Sequence, residues 1–404
     1  MTSSHVDLAA VRAAAAGLGE VVYRTPVERS RVLSELLGAP VWLKCENLQR
    51  AGSFKIRGAF TRLSRLSPQQ RERGVVAASA GNHAQGVALA ARELGIAATI
   101  FMPADAALPK IAATKDYGAE VVLGGRSLDE AIVDATAFAE RTGAELIHPF
   151  DHADIVAGQG TLGLEILEQV PEVRTVVIPL GGGGLTAGVA AALAEAAPHV
   201  RVIGVQAANV AAYPGSLAEG RPVPVEVRAT MADGIAVGRP GEVPFEVLRR
   251  TQVPVRTVTE EDLSRALLLV VERAKLLVEP SGAAGVAALM ADPSGIEGPV
   301  VVVLSGGNVD PLVLMRVLRH GMAAAGRYLS LRLRISDRPG GLAGLLADVA
   351  SAGANVMHVS HVRTGPHLAI DEVEVDVQVE TKGPEHCSEL VSHLEAAGYA
   401  VRVD

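Results

Sequence analysis

The sequence predicts an α/β protein with open, mainly parallel sheets, followed by a smaller domain of a different type. From about residue 74 onward, short apolar runs alternate with helical patterns, which is typical of repeated strand–helix units. These runs are apolar at successive positions, as expected of parallel strands that helices cover on both faces. After about residue 325 apolar residues occupy every second position instead, which indicates half-buried strands in a separate domain.

The elements of the first domain follow one another in chain order. An amphipathic helix is predicted around Ala13 to Ala16. Strand and helix pairs are then predicted at residues 75–79 and 84–94, 98–102 and 108–117, and 120–123 and 128–141. Further strands are predicted at residues 175–180, 200–206 and 300–304. We assign residues 1–325 to this domain, with a smaller subdomain of about residues 50–150 inserted in the larger one.

Residues 328–404 are predicted to form a ferredoxin-like βαββαβ sandwich. A strand that alternates apolar and polar residues from Leu329 to Ile335 is followed by a turn and a helix that ends near Gly353. A second strand ends at a turn formed by Gly365 and Pro366. An alternating valine strand, a helix and a short last strand complete the predicted order.

Composition restricts the classes of function. The chain has 404 residues, 49% of them hydrophobic, which is enough for a large core and two or three domains. A net charge of -8 and 3% aromatic residues argue against nucleic acid as a partner. Apolar runs are too short for membrane insertion, and the N-terminus lacks the features of a signal peptide. The two cysteines are far apart in sequence, so we expect no disulfide framework and a cytoplasmic location. Small molecules are the expected partners.

Three loops with chemically useful residues follow predicted strands, at residues 79–86, 181–184 and 305–308. Ligands of parallel sheets bind at such strand ends. The glycines at 181–184 precede a helix and suit a phosphate group, although Gly182, Gly184 and Ala187 also fit a dinucleotide pattern, and close helix packing is a third explanation. Against nicotinamide binding, Gln206 stands where a ribose-binding acid is usual. The first loop suits a carboxylate, and the Ser305 hydroxyl could bind a ring nitrogen.

Lys55 is a candidate for covalent catalysis because it stands between the apolar residues Phe54 and Ile56. A shielded lysine loses its proton more readily, and its neutral amine can form a Schiff base with a carbonyl group. The alternative is that Lys55 and Arg57 are solvated charges at the start of a helix.

The Lys55 segment and the three loops together resemble the fold-type II pyridoxal phosphate enzymes, most closely their serine/threonine dehydratase branch, over about the first 320 residues. The resemblance implies two open αβα sheets and pyridoxal 5'-phosphate as cofactor. It implies that the cofactor is bound by Lys55, Phe54, Asn82, Gly181, Gly182, Gly183, Gly184, Leu185, Gly234 and Ser305. It places the substrate at Ser79, Ala80, Gly81, Asn82 and His83.

The implied reaction is the dehydration and deamination of L-threonine to 2-oxobutanoate and ammonia, and of L-serine to pyruvate, with Lys55 as catalytic base. Serine racemases have a serine as second base where this chain has Ala80, so we expect dehydration without efficient racemisation. Racemase-like relatives hold a cation with acids where this chain has Gln206, Val210 and Ala212, so no metal site is expected.

An L-serine dehydratase or another β-elimination or β-replacement enzyme is the nearest alternative function. A nicotinamide-dependent dehydrogenase and a non-catalytic amino-acid sensor are the remaining ones.

The C-terminal domain resembles an ACT domain, a regulatory module that binds amino acids. The match lies in the loop Arg338, Pro339, Gly340, Gly341 and Leu342. The resemblance implies allosteric control, with isoleucine or valine as the effector and a role in isoleucine biosynthesis. It also implies a homodimer or homotetramer. The alternative is a purely structural role in dimerisation.

Glu279, which precedes Pro280, is interpreted as a helix cap, with a place near the cofactor as the other option.

Overall fold

The computed structural model describes residues 6–363 and 368–403, which form two units, Met1–Leu314 and Met315–Asp404. The turn predicted at Gly365 and Pro366 lies outside the described residues. In chain order, the strands of the first unit are β1 (Val27–Arg29), β2 (Val41–Cys45), β3 (Val75–Ala78), β4 (Ala98–Met102), β5 (Glu120–Leu123), β6 (Glu145–Leu146), β7 (Thr175–Pro179), β8 (Arg201–Ala207), β9 (Val255–Val258) and β10 (Val300–Leu304).

The helices between these strands begin with the amphipathic segment predicted at the N-terminus. They are α1 (Leu8–Leu18), α2 (Arg31–Leu37), α3 (Lys55–Ser64), α4 (Pro68–Arg73), α5 (Asn82–Leu94), α6 (Leu108–Asp116), α7 (Leu128–Thr142), α8 (Ala153–Gln169), α9 (Gly184–Ala196), α10 (Ala212–Glu219), α11 (Glu242–Arg250), α12 (Glu260–Leu269) and α13 (Ala284–Ala291). Helix α14 (Pro311–Ala324) carries the chain into the second unit.

The larger sheet has the strand order β1-β2-β10-β7-β8-β9. All of its neighbours run parallel except β1, which is antiparallel to β2. Every residue of β7 and β10 is buried, which explains why both segments are continuously apolar apart from Thr175. The α/β class with mainly parallel sheets is therefore confirmed for this unit.

The smaller sheet has the order β5-β4-β3-β6 and is parallel throughout. Its helix α5 packs tightly on α3, because a Cβ atom built on Gly86 would lie 3.1 Å from the main-chain carbon of Lys55. Glycine at this position lets the two helices approach closely. The start of α3 is thereby brought next to the loop that precedes α5.

The second unit contains β11 (Tyr328–Ser336), α15 (Gly341–Ser351), β12 (Asn355–Val362), β13 (Glu372–Glu380), α16 (Pro384–Ala396) and β14 (Ala400–Val403). Its antiparallel sheet has the order β12-β13-β11-β14. The alternating valines of β13 are buried against the helices, as their spacing indicates. Across the residues that the structure describes, no helix is both long and apolar enough to cross a membrane.

Candidate active site

A cavity of about 300 Å³ opens at the carboxyl ends of β3, β7 and β10. The loops that follow these three strands meet there, together with the first turn of α3. Every residue that we predicted to bind cofactor or substrate lines this cavity: Phe54, Lys55, Ser79, Ala80, Gly81, Asn82, His83, Gly181, Gly182, Gly183, Gly184, Leu185, Gly234 and Ser305.

Lys55 is the first residue of α3, and its side chain points into the cavity. The Phe54 main-chain N–H donates to the Ser305 carbonyl oxygen at 3.2 Å, which fixes the start of the helix against the loop after β10. The Lys55 Nζ atom donates to the Pro149 carbonyl oxygen at 3.0 Å and lies 5.2 Å from the centre of the Phe54 ring. Burial lowers the pKa of Lys55 to about 8, although the nearby Glu279 carboxyl group opposes this shift.

The glycine loop between β7 and α9 has no room for side chains. A Cβ atom would lie 2.4 Å from the Phe150 ring at Gly182 and 1.9 Å from the Tyr213 hydroxyl oxygen at Gly183, whose φ of +103° also favours glycine. The buried Tyr213 hydroxyl donates to the Gly182 carbonyl oxygen at 3.1 Å, and the Gly241 N–H donates to the same atom at 3.2 Å. The loop is thus held rigidly at the N-terminus of α9, where main-chain amides and the helix dipole favour an anion such as phosphate.

The Asn82 side chain is held from two directions. Its Nδ2 atom donates to Glu279 Oε1 at 2.7 Å, and its Oδ1 atom accepts from Asn308 Nδ2 at 2.9 Å. An amide nitrogen carries two hydrogens, so a second N–H of Asn82 remains for a ligand in the cavity.

The neighbouring His83 is buried, and its Nε2 atom is hydrogen-bonded to the Ile147 carbonyl oxygen at 2.8 Å. Burial lowers the pKa of His83 to about 3. The ring is therefore neutral and donates to this carbonyl, which also ties the loop after β3 to the chain beyond β6.

Ser281 was not among the predicted residues, although its hydroxyl group lies at the cavity wall. It is buried, and no protein partner for its Oγ atom exists within the described residues. A Cβ atom on Gly234 would lie 2.9 Å from this oxygen. An unsatisfied buried hydroxyl is costly in a protein that binds nothing, and it therefore favours a polar ligand in the cavity.

Glu279 stands at the N-cap position of the next helical turn, as interpreted from the sequence, but only its main-chain carbonyl oxygen acts as a cap. Its side chain makes no capping hydrogen bond to the short helical turn Pro280–Ala283 that follows. It lines the cavity instead, and burial raises its pKa to about 7. The position of an acidic residue within an apolar stretch was the signal in the sequence that could have placed Glu279 in the site. The hydrogen bond to Asn82 could not be foreseen, because the two residues are 197 positions apart.

Lys110 and Asp233 are two further cavity residues that the sequence did not indicate. Lys110 Nζ and Asp233 Oδ2 form an ion pair at 3.2 Å. This contact joins α6 of the smaller sheet to the segment that carries Gly234.

The Gln206 side chain is bonded to the protein through its oxygen atom, whereas its Nε2 atom has no partner among the described residues. It is buried, and its Oε1 atom accepts from the Tyr213 main-chain N–H at 2.9 Å. A neutral amide can be buried at this position at a lower cost than an ionised acid without a cation.

The residues present fit a phosphorylated aromatic aldehyde. The glycine loop supplies an anion site, Lys55 supplies an amine with a low pKa, and Asn82, Ser281 and Ser305 place polar groups around the space between them. These residues provide hydrogen-bonding groups for the phosphate and the ring of pyridoxal phosphate and an amine that can react with its aldehyde.

The family model “Pyridoxal-phosphate dependent enzyme” matches residues 18–306. The L-threonine ammonia-lyase of Geobacter sulfurreducens is 46% identical over 383 residues, which are 95% of this chain and 95% of that protein. The L-threonine ammonia-lyase of Thermotoga maritima is 45% identical over 98% of this chain and 99% of its own length.

Two solved structures are also similar. Threonine deaminase isoform 2 from Solanum lycopersicum, in its processed form, has a TM-score of 0.74 and 37% identity over 78% of this chain and 92% of that chain. Maize serine racemase has a TM-score of 0.74 and 36% identity over 77% of this chain and 96% of that chain.

Proposed function

The chain belongs to the pyridoxal-phosphate dependent enzyme family, and we propose that it is a threonine ammonia-lyase that converts L-threonine to 2-oxobutanoate and ammonia. The observation that carries this proposal is the position of the Lys55 amine, which shares one cavity with the glycine loop, Asn82 and Ser305. The similarity of this chain to L-threonine ammonia-lyases over nearly its whole length supports the choice of substrate.

Each part of the cofactor has a candidate binding group. Lys55 would hold it covalently, and the amides of Gly181, Gly182, Gly183, Gly184 and Leu185 would bind its phosphate. Asn82 would donate to the 3-hydroxyl oxygen and Ser305 would bind the ring nitrogen, with Phe54 and Gly234 beside the ring. When bound, pyridoxal phosphate withdraws electrons from the substrate Cα atom and makes its proton acidic.

Lys55 is the candidate catalytic base. Since its pKa is about 8, a useful fraction of its amine is neutral near neutral pH and can take the Cα proton at Nζ. The substrate carboxylate would lie at the loop Ser79–Gly81, where the Gly81 N–H donates to Ser79 Oγ at 3.1 Å and shapes the turn. The β-hydroxyl group takes up one proton, which balances the proton that Lys55 removes from Cα, and leaves as water. The released aminocrotonate then takes up water to give 2-oxobutanoate and ammonia.

Turnover of L-threonine and L-serine by the purified protein, measured as 2-oxo acid formation, tests this proposal. We expect 2-oxobutanoate from threonine and a second activity that forms pyruvate from serine. Formation of pyruvate without 2-oxobutanoate would instead indicate an L-serine dehydratase, and absence of both products would contradict the proposal.

Serine racemisation is the second candidate, because maize serine racemase has a similar fold. Ala80 lines the cavity and has no group that could exchange a proton, which favours dehydration. Chiral chromatography after incubation with L-serine separates the two outcomes. We expect pyruvate without accumulation of D-serine.

We further propose that residues 1–325 form the catalytic domain, with the subdomain of about residues 50–150, and that residues 328–404 form an ACT regulatory domain. The βαββαβ order of the second unit supports this. So does a cavity of about 480 Å³ in that unit, lined by Arg338, Pro339, Gly340 and Leu342. Gly341 is the first residue of α15, and its N–H donates to the Arg338 carbonyl oxygen at 3.0 Å, which shapes the loop at a helix N-terminus that suits a carboxylate.

Isoleucine or valine is the proposed effector of this site, which would give the enzyme a role in isoleucine biosynthesis in the cytoplasm as a homodimer or homotetramer. Thermal shift and threonine kinetics with each amino acid test the regulatory part. A response to isoleucine or valine is expected. If none of the amino acids changes either measurement, the domain has a structural role in dimerisation.

A further inference from the structure

The Glu279 carboxyl group is a buried, ionisable part of the cavity that the proposed reaction does not use. Only 6% of the residue is exposed. Its Oε1 atom accepts from Asn82 Nδ2 at 2.7 Å, and its main-chain N–H donates to the Gly306 carbonyl oxygen at 3.0 Å. Glu279 is therefore fixed between the loop before α5 and the loop after β10.

A comparison with Glu46 shows how unusual this environment is. Glu46 is also buried, but both of its oxygens are bonded by the Arg57 guanidinium at 2.8 Å. That contact lowers the pKa of Glu46 despite the opposing effect of burial. For Glu279 no ion pair is formed among the residues that the structure describes, and a neutral amide is its side-chain partner. Burying a carboxyl group without a cation is costly, which points to a role at the site.

The contacts of Asn82 suggest what this role is. Asn308 Nδ2 donates to the amide oxygen of Asn82 at 2.9 Å, and Glu279 accepts one of its amide hydrogens. Because Asn82 lines the cavity, the other amide hydrogen is left for a ligand there. A Cβ atom on Gly306 would lie 2.5 Å from Glu279 Oε1 and 3.0 Å from Asn82 Nδ2. The glycine therefore leaves the space in which this hydrogen bond forms.

We propose that Glu279 is a positioning residue whose ionised carboxylate holds the Asn82 amide in the orientation that binds the cofactor, and whose protonation weakens this hold. The inference rests on the proposed function, since it takes pyridoxal phosphate as the ligand of Asn82. A hydrogen bond to a carboxylate is stronger than one to a neutral carboxylic acid. Glu279 therefore acts through Asn82, and its charge adjusts the affinity of the site for the cofactor.

The charged groups around Glu279 allow this ionisation to occur near neutral pH. Burial and then Asp233 raise the pKa of Glu279 to about 7, while the Asn82 hydrogen bond, Lys110 and Lys55 lower it. Among the other titratable residues that face the cavity, His83 is neutral, with a pKa of about 3, and Lys55 has a pKa of about 8. Because the raised carboxyl pKa leaves Glu279 protonated below about pH 7, its effect on Asn82 should appear as the pH rises through this value.

The test compares cofactor binding by the full-length protein and by Glu279→Gln at pH 6 and pH 8.5. At pH 6 both side chains are neutral, so we expect a ratio of dissociation constants near one. At pH 8.5 only the wild-type side chain is ionised, and we expect the variant to bind about fivefold more weakly. The Lys55 amine differs little between the two proteins at either pH, because Glu279 is uncharged at the lower pH and the amine is mostly neutral at the higher one.

Three further variants show whether the effect has the proposed origin. In an Asn82→Ala background, Glu279→Gln should no longer change the affinity. Asp233→Asn should move the midpoint of the pH effect to lower pH and Lys110→Gln to higher pH, since the two charges shift Glu279 in opposite directions. Glu35→Gln, on the exposed surface of α2 and paired with Arg31, is the matched control and should give a ratio of one at both pH values.

A ratio for Glu279→Gln that is the same at both pH values would overturn the inference, and so would an unchanged effect in the Asn82→Ala background. If Glu279→Gln does not fold, the pH dependence of cofactor binding by Asp233→Asn and Lys110→Gln still decides, because shifts of the midpoint in the same direction contradict the inference. Failure of the proposed function is distinguishable, since the wild type would then form no 2-oxobutanoate from L-threonine, whereas cofactor binding is measured without substrate.

Discussion

Lys44 and Lys55 both have a pKa that burial lowers, but their partners differ. Lys44 forms an ion pair with Glu165 at 2.7 Å and also donates to the Thr25 carbonyl oxygen and to Gln169. Lys55 donates to a neutral carbonyl oxygen and faces a cavity. Lys44 is thus a structural cation, whereas the Lys55 amine is available for chemistry.

The pKa of Lys55 predicts how cofactor uptake depends on pH. Only a neutral amine attacks the cofactor aldehyde, so the rate should rise with pH and reach half its maximum near pH 8, the lowered pKa of Lys55. The visible absorbance after mixing cofactor-free protein with pyridoxal phosphate measures this rate. A half-maximum near 10.5, the ordinary pKa of lysine, would show that the amine is not shielded.

Sequence reasoning identified the residues whose type and immediate neighbours carry the signal. Lys55 stands between apolar residues, and the glycines at 181–184 form an unmistakable loop. Glu279 and Ser281 were not assigned to the site, because only the folded chain brings them beside Asn82 and Gly234. Their meaning depends on burial and on partners far away in sequence.

Tyr213 connects two elements, since it lies on α10 and its hydroxyl group supports the glycine loop before α9. Burial raises the pKa of this hydroxyl, so it stays protonated and donates. Tyr213→Phe keeps the ring and loses one hydrogen bond of about 1 kcal/mol, which should weaken cofactor binding roughly fivefold in a spectroscopic titration. Tyr399→Phe, which loses a hydrogen bond to Asp348 in the second unit, is the control and should leave binding unchanged.

A buried group of four charges joins β2, α3 and α8. Arg57 binds Glu46 and Glu165 with hydrogen bonds of 2.6 to 3.0 Å, and Lys44 binds Glu165. The two cations balance the two carboxylates. Because Arg57 is the third residue of α3, this group also fixes the turn that begins with Lys55.

Arg57→Ala should destabilise the first unit by about 3–5 kcal/mol, since it leaves carboxylates buried with too few cations. The fluorescence of Trp42, the single tryptophan, reports unfolding from within β2 during denaturant titration. Arg249→Ala removes an exposed partner of Glu246 and should cost less than about 1 kcal/mol. Similar losses in both variants would contradict a structural role for the buried group.

At the level of elements, the sequence predicted the strands that contain a run of apolar residues and left others without an assignment. Strands β3, β4, β5, β7, β8 and β10 were recognised, and all of them except β5 are largely buried. Strand β2 was not, because Lys44 interrupts its apolar run. Its ammonium group is buried through an ion pair from another element, which no local pattern reveals.

The whole molecule consists of two units, and each has its own core. The L-threonine ammonia-lyases that resemble it match over 95–98% of the chain. The sequence indicated this division, because the spacing of apolar residues changes from continuous runs to strict alternation. The regulatory role proposed for the second unit depends on the identity of its ligand, which the periodicity of the sequence does not reveal.

Removing the cofactor should lower the stability of the first unit through mass action. A ligand present at 1,000 times its dissociation constant stabilises the folded state by about 4 kcal/mol. We expect a lower melting temperature for cofactor-free protein by Trp42 fluorescence, and recovery when pyridoxal phosphate is added. The same melting temperature with and without the cofactor would show that it does not bind the folded unit.

The central claim is that Lys55 both holds the cofactor and takes the Cα proton, and the Lys55→Ala protein tests it most directly. The visible absorbance spectrum with pyridoxal phosphate and the formation of 2-oxobutanoate from L-threonine are measured on the same sample. The account predicts loss of the absorbance of lysine-bound cofactor and loss of turnover by several orders of magnitude. A Lys55→Ala protein that retained both would contradict it.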